Sequence, residues 1–202
     1  MGKQSRVVVA GAKGVGKTAI LQQLALLRDI TEAPYEPTLD DTYTLAVDGD
    51  KAGAKDTLIL HDTAGLAAES LLELRRPYLL LADAFLLVYD VGEQESFDRL
   101  DHLKKSIDRH LAKEKKADLP IFVLANKADK DKQVVTKEFA QAWAVRERVA
   151  HYQVTAKDRN SLVEPIVALS NRLFHPKSES KFTLPKRQKD RPSDKPQILM
   201  DI

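Results

Sequence analysis

Four short, near-continuous apolar segments punctuate the chain: RVVVA (6–10), TLILH (57–61), AFLLVY (84–89) and IFVLA (121–125). Runs of this length suit strands buried on both faces, as in a parallel sheet covered by helices. Between and after them, apolar residues recur at helical spacing over 17–28, 69–80, 95–112, 136–149 and 160–174. This alternation predicts an α/β fold with a mostly parallel sheet. TYTLAV (42–47), the turn-rich DGDKAGAKD and then TLILH read as a hairpin, so one edge strand is expected to run antiparallel. With HYQV (151–154), the expected architecture is six strands and five helices in one domain over residues 1–175.

From Pro176 the pattern stops. Residues 176–202 hold four of the nine prolines, and seven Lys and Arg against four Asp and Glu. They read as a flexible tail. For the whole chain the formal net charge is only +2, which by itself gives no reason to expect nucleic-acid binding. With no Cys, disulfides, thiolate metal sites and thiol lipid anchors are excluded. LLLADAFLLV (79–88), the longest apolar stretch, is too short for a membrane span, and MGKQSR lacks an apolar signal region and carries Arg6 where myristoylation wants Ser or Thr. A cytoplasmic protein is the expectation.

The chemistry begins at GAKGVGKT (11–18), which fits the phosphate-loop pattern and lies between a predicted strand and helix. Backbone N–H groups of Gly11, Ala12, Lys13, Gly14, Val15 and Gly16 would cradle phosphates at the helix N-terminus, Lys17 would reach the terminal phosphates, and the Thr18 hydroxyl would bind Mg²⁺. NKAD (126–129) selects the base. It follows a buried strand at its C-terminal end, where α/β folds place their sites. The Asp129 carboxylate can accept two guanine N–H donors that adenine lacks, and Asn126 and Lys127 would brace the loop and pack on the base. DTAG (62–65) places Asp62 to hold Mg²⁺ through water and the Gly65 N–H to meet a terminal phosphate. In PTLDDTY (37–43), Thr38 can close on metal and phosphate, and TAK (155–157), comprising Thr155, Ala156 and Lys157, would complete the base pocket through backbone contacts. The order and spacing of these five elements carry the assignment to GTP or GDP with Mg²⁺. They disfavour a metabolic ATP kinase.

With these motifs the chain resembles a Ras-superfamily small GTPase, a P-loop NTPase G domain, over about residues 4–175. More closely it resembles the κB-Ras subfamily, Ras-like proteins that interact with inhibitors of NF-κB. The similarity rests on VGKTAILQQL (15–24), DGDKAGAKDTL (48–58), LADAFLLVYDVGEQESFDRLDHLKKSID (81–108), VTAKDRNSLVEP (154–165) and KFTLPKR (181–187). The resemblance implies nucleotide contacts from Ala19 and Tyr35. It implies partner binding through switch I (Tyr35 to Tyr43) and switch II (Leu66 to Tyr78), with ankyrin-repeat NF-κB inhibitors and the Ral GTPase-activating complex as partners of a monomer without a lipid anchor.

Two positions depart from the Ras pattern at the chemistry. Lys13 stands where a Gly is usual, and Leu66 stands where a Gln normally orients the attacking water. With Lys17 and Thr38 these are the candidate catalytic positions, and very slow GTP hydrolysis is expected. Lys13 either points to solvent and interferes sterically, contacts the γ-phosphate, or acts as a weak arginine-finger substitute in cis. Leu66, Leu71, Leu72 and Leu74 form either a partner patch or the buried face of a helix. The five histidines lack metal-ligand spacing; His61 is read as a strand-end residue rather than a general base, and Trp143 as core. Two functions stand against each other: a largely GTP-loaded regulator or scaffold, and a switch turned off by a GTPase-activating protein (GAP).

Overall fold

A computed structural model describes residues 2–49, 53–65, 74–115 and 119–175. The strands are β1 (Gln4–Gly11), β2 (Asp40–Asp48), β3 (Lys55–Thr63), β4 (Ala84–Asp90), β5 (Ile121–Asn126) and β6 (Ala150–Gln153). They form one sheet in the order β2-β3-β1-β4-β5-β6. Every neighbouring pair is parallel except β2 and β3. The helices are α1 (Lys17–Leu26), α2 (Arg76–Leu81), α3 (Gln94–Lys113), α4 (Lys137–Glu147) and α5 (Arg159–Phe174). The expected α/β architecture is therefore present.

Apolar residues at consecutive strand positions are explained by two core layers. Val7 and Val9 of β1, with Leu86 and Val88 of β4, pack beneath α1 and α5 on one face. Val8, Ala10, Phe85, Leu87 and Tyr89 point the other way, under α2, α3 and α4. Trp143 is core, as expected: it packs edge-on against Phe97 at 5.2 Å, and its indole N–H donates to Asp101 Oδ1 over 2.8 Å.

Several element ends differ from the periodicity. The hairpin strands reach further than 42–47 and 57–61, because Asp40 and Asp41 pair in register with Thr63 and Asp62. That extension brings the start of β2 beside the DTAG segment. α1 stops at Leu26 rather than residue 28, since Leu27 turns into the left-handed region at φ 54°. Of the helix expected over 69–80, the described part is helical only from Arg76. Residues 66–73 lie outside the described residues, Leu74 and Arg75 are not helical, and α2 starts at Arg76 with Pro77 in its first turn. Proline lacks the N–H that an interior helical position needs, so it opens this helix instead of sitting within a longer one. Leu74 is buried among Phe85, Leu87 and their neighbours, while Leu66, Leu71 and Leu72 lie outside the described residues. The expected tail, 176–202, also lies outside them. Among the described residues no helix is long and apolar enough to cross a membrane.

Candidate functional site

Loops at the C-terminal ends of β1, β3, β5 and β6 surround one cavity of about 950 Å³, a volume suited to a nucleotide. Gly14, Gly16, Lys17, Thr18 and Ala19 line one wall. Asn126, Lys127, Asp129, Thr155, Ala156 and Lys157 line another. Residues 30–38, including Tyr35 and Thr38, close the outside, and Gly65 borders the phosphate end. Gly11, Ala12, Lys13, Val15 and Asp62 are not in the lining; Ala12 and Val15 are buried behind the loop, and Asp62 is buried behind Thr18. Gly16 is in the left-handed region at φ 97°, and a Cβ there would lie 2.3 Å from Asn126 Nδ2. Only glycine fits that approach. α1 starts at the next residue, so its unpaired N–H groups open beside the cavity.

At the phosphate end three oxygens converge. Thr18 Oγ1 donates to Asp62 Oδ2 over 2.6 Å and accepts from Thr38 Oγ1 over 2.7 Å. Asp62 is fully buried, and its Oδ1 has no hydrogen-bond partner among the described residues. Burial raises the Asp62 carboxyl above the usual range, against the Thr18 hydrogen bond and Lys17. Two hydroxyls and a carboxylate with a spare oxygen fit Mg²⁺, a hard cation that takes its remaining ligands from water and phosphate. Lys17 is nearly buried and donates to the carbonyls of Gly11 and Ala12 over 3.2 and 3.1 Å. Burial pulls its ammonium down to about 8, opposed by Asp62. An anion in front of Lys17 would remove that penalty.

The base end is braced by the NKAD residues. Asn126 donates through Nδ2 to Val15 O (2.8 Å) and accepts at Oδ1 from Ala156 N (3.1 Å). Lys127, at φ 63°, donates to Gly14 O (2.9 Å) and pairs with Asp90 at 2.8 Å. Thr155 Oγ1 donates to Asp129 Oδ1 over 2.6 Å, and Lys157 lies 3.3 Å from Oδ2. The Thr155 hydrogen bond is the main cause of Asp129's lowered pKa. Each oxygen thus has one partner, and an ionised carboxylate has further lone pairs for two base N–H donors.

Asp90 and Lys130 were not singled out in the sequence. Asp90 is buried and binds both Lys127 and Lys130, so it holds the NKAD loop from beneath. Its signal is a carboxylate closing the otherwise apolar strand AFLLVYD. Lys13 is exposed, with its ammonium 5.5 Å from the ring centroid of Tyr35, a residue of the cavity lining. A Cβ on Gly65 would come 2.5 Å from Lys13 Cα, so the DTAG segment lies directly on the backbone of that departure. His61 lies in β3, with Nδ1 3.3 Å from Thr42 Oγ1, and it is not in the cavity lining. Leu66 lies outside the described residues.

Two measurements probe this geometry. Asp129→Ala removes the acceptor for two base donors and lowers GTP and GDP affinity by roughly 10²- to 10⁴-fold. Unchanged affinity in a fluorescent-nucleotide titration refutes guanine reading by this carboxylate. The second concerns Lys17, whose folded pKa of about 8 lies below its ordinary value of 10.5. Below pH 8 the lysine is charged in both folded and unfolded chains, so burial destabilises the fold in full. As pH rises through that window the folded protein loses the proton first, and stability recovers. Lys17→Met therefore stabilises the nucleotide-stripped protein at pH 7 by up to ~3 kcal/mol, and the gain shrinks toward pH 10 in thermal melts.

The model of the Ras family matches residues 6–175. The chain is 43% identical over 189 residues to the human NF-kappa-B inhibitor-interacting Ras-like protein 1, covering 93% of this chain and 95% of that protein. It is 42% identical over 185 residues to the Drosophila melanogaster NF-kappa-B inhibitor-interacting Ras-like protein, covering 90% of each. To the human NF-kappa-B inhibitor-interacting Ras-like protein 2 it is 37% identical over 190 residues, covering 94% and 96%. The G-domain fold, the phosphate loop and these similarities agree: this chain is a member of the Ras family, a Ras-like small GTPase related to the NF-kappa-B inhibitor-interacting Ras-like proteins.

Proposed function

We propose that this protein is a Mg²⁺-dependent guanine-nucleotide-binding regulator that hydrolyses GTP very slowly and stays mostly GTP-loaded. The observation that carries the nucleotide reading is the Asp129 carboxylate, held by Thr155 at 2.6 Å on the wall of a cavity that is also lined by Lys17, Thr18 and Thr38, with Asp62 bound to Thr18 behind them. When bound, Mg²⁺ neutralises phosphate charge. Lys17 orients the phosphates, and Thr18, Thr38 and Asp62 hold the metal directly or through water. Phosphoryl transfer depends on positioning and charge stabilisation, and Leu66 has no donor or acceptor with which to position water. Lys13 adds bulk where Gly65 meets the phosphate loop.

The proposed role is a monomeric cytoplasmic scaffold acting on ankyrin-repeat NF-κB inhibitors or the Ral GTPase-activating complex. Names of the relatives support the first partner, and the subfamily resemblance supports the second. Switch I (Tyr35 to Tyr43) and switch II (Leu66 to Tyr78) are the proposed contact surfaces, and 176–202 an accessory motif. A second reading, a switch that a GAP turns off, is favoured by the convergent Thr18, Thr38 and Asp62 oxygens. A GAP would then need to supply only the water-positioning group.

The two readings separate when protein purified with Mg²⁺ is denatured and its released nucleotide resolved by ion exchange. Mostly GTP is expected; mostly GDP favours the switch. Leu66→Gln combined with Lys13→Gly is expected to accelerate single-turnover hydrolysis, and no gain removes these two positions as the cause of slow turnover.

A further inference from the structure

Residues 30–38, a single strip of chain, line the outer side of the cavity opposite Lys17 and Asp129. Little of that strip is anchored by burial. Tyr35 is 57% exposed, and Glu32, Ala33, Pro34 and Glu36 are exposed as well. Among the described residues its side-chain links to the opposite walls are these. At the metal end Thr38 meets Thr18. At the base end Glu32 Oε1 lies 3.8 Å from Lys157 Nζ, a solvent-exposed pair that contributes little by itself. Between them the Lys13 ammonium sits over the face of Tyr35. Among the described residues Lys13 has no carboxylate partner, and its ammonium rests on the aromatic ring.

From this placement we propose that Lys13 is a positioning residue for nucleotide retention: its ammonium clasps Tyr35, holds residues 30–38 closed over the cavity, and slows nucleotide release. The inference rests on the guanine-nucleotide reading of the cavity and adds a means of regulating it. An aromatic face attracts a cation through its quadrupole, so the clasp needs a charge at residue 13 and a ring at residue 35. Glycine at residue 13 could not make this contact. Anything that draws Tyr35 or Lys13 away, including a partner docking on switch I, would release the strip and hasten exchange.

The test is the release rate of methylanthraniloyl-GDP from the full chain, loaded with Mg²⁺ and chased with excess unlabelled GDP. Lys13→Met keeps the aliphatic stem without the charge, and Tyr35→Leu keeps an apolar side chain without the ring. Each is expected to release the probe about two- to five-fold faster, the range of an exposed cation–π contact. The double variant is expected to be no faster than the faster single variant, because both remove one interaction. Lys13→Arg and Tyr35→Phe, which keep the charge and the ring, recover most of the slow release. Single variants that release at the unaltered rate overturn the clasp, as does a double variant whose acceleration is the product of the two. Failure of Lys13→Arg and Tyr35→Phe to recover slow release also overturns it. An unaltered protein that retains no labelled guanine nucleotide overturns the nucleotide reading itself, and the clasp with it.

Discussion

One buried amide holds the nucleotide loops in register. Asn126 is 1% exposed, and its two ends face different parts of the chain: Nδ2 donates to Val15 O at 2.8 Å, and Oδ1 accepts from Ala156 N at 3.1 Å. Loss of either partner would leave a buried polar group unsatisfied, a cost larger than the net worth of a formed hydrogen bond. The phosphate loop and the TAK loop are therefore fixed against the same side chain. Gly16 follows from the same constraint, since a larger residue would strike that amide. Lys127 repeats the arrangement nearer solvent, reaching Gly14 O while Asp90 holds it from below.

The two ends of the cavity carry different electrostatics. At the base end, Asp129 is satisfied and ionised by Thr155 and Lys157. At the phosphate end, Lys17 and Asp62 are each pushed by burial toward their neutral forms, and one oxygen of Asp62 has no partner among the described residues. A buried charge without full compensation costs stability. Anionic phosphates with a divalent cation, as proposed for this site, would supply the missing partners and would couple binding to folding most strongly at this end. The strip across the front has few buried contacts and can be displaced locally while the sheet behind it stays packed.

Much of this was legible in the residues. Apolar runs located the buried strands because both sheet faces are covered, and the hairpin pattern placed the antiparallel edge. Helix ends were less legible: Leu27 closes α1 without a glycine or asparagine to mark it, and Pro77 moves the start of α2 past residues with helical spacing. The motifs pointed to residues that line one cavity because phosphate loops and base-reading loops are short stretches whose shape is set by local sequence. Asp90 and Lys130 escaped because their role consists only of what they touch.

The sequence by itself determined the alternation of strand and helix, the order of the nucleotide motifs and the two departures at Lys13 and Leu66, since each is encoded by residue type at short spacing. Tertiary structure decided which of those residues meet. It brought Asn126 to a loop 111 residues earlier, set Thr155 on Asp129, drew Thr38 and Asp62 to Thr18, and laid Lys13 on Tyr35. Such meetings depend on strand register and on how loops leave the same end of the sheet, and no local pattern of apolar and polar residues specifies either.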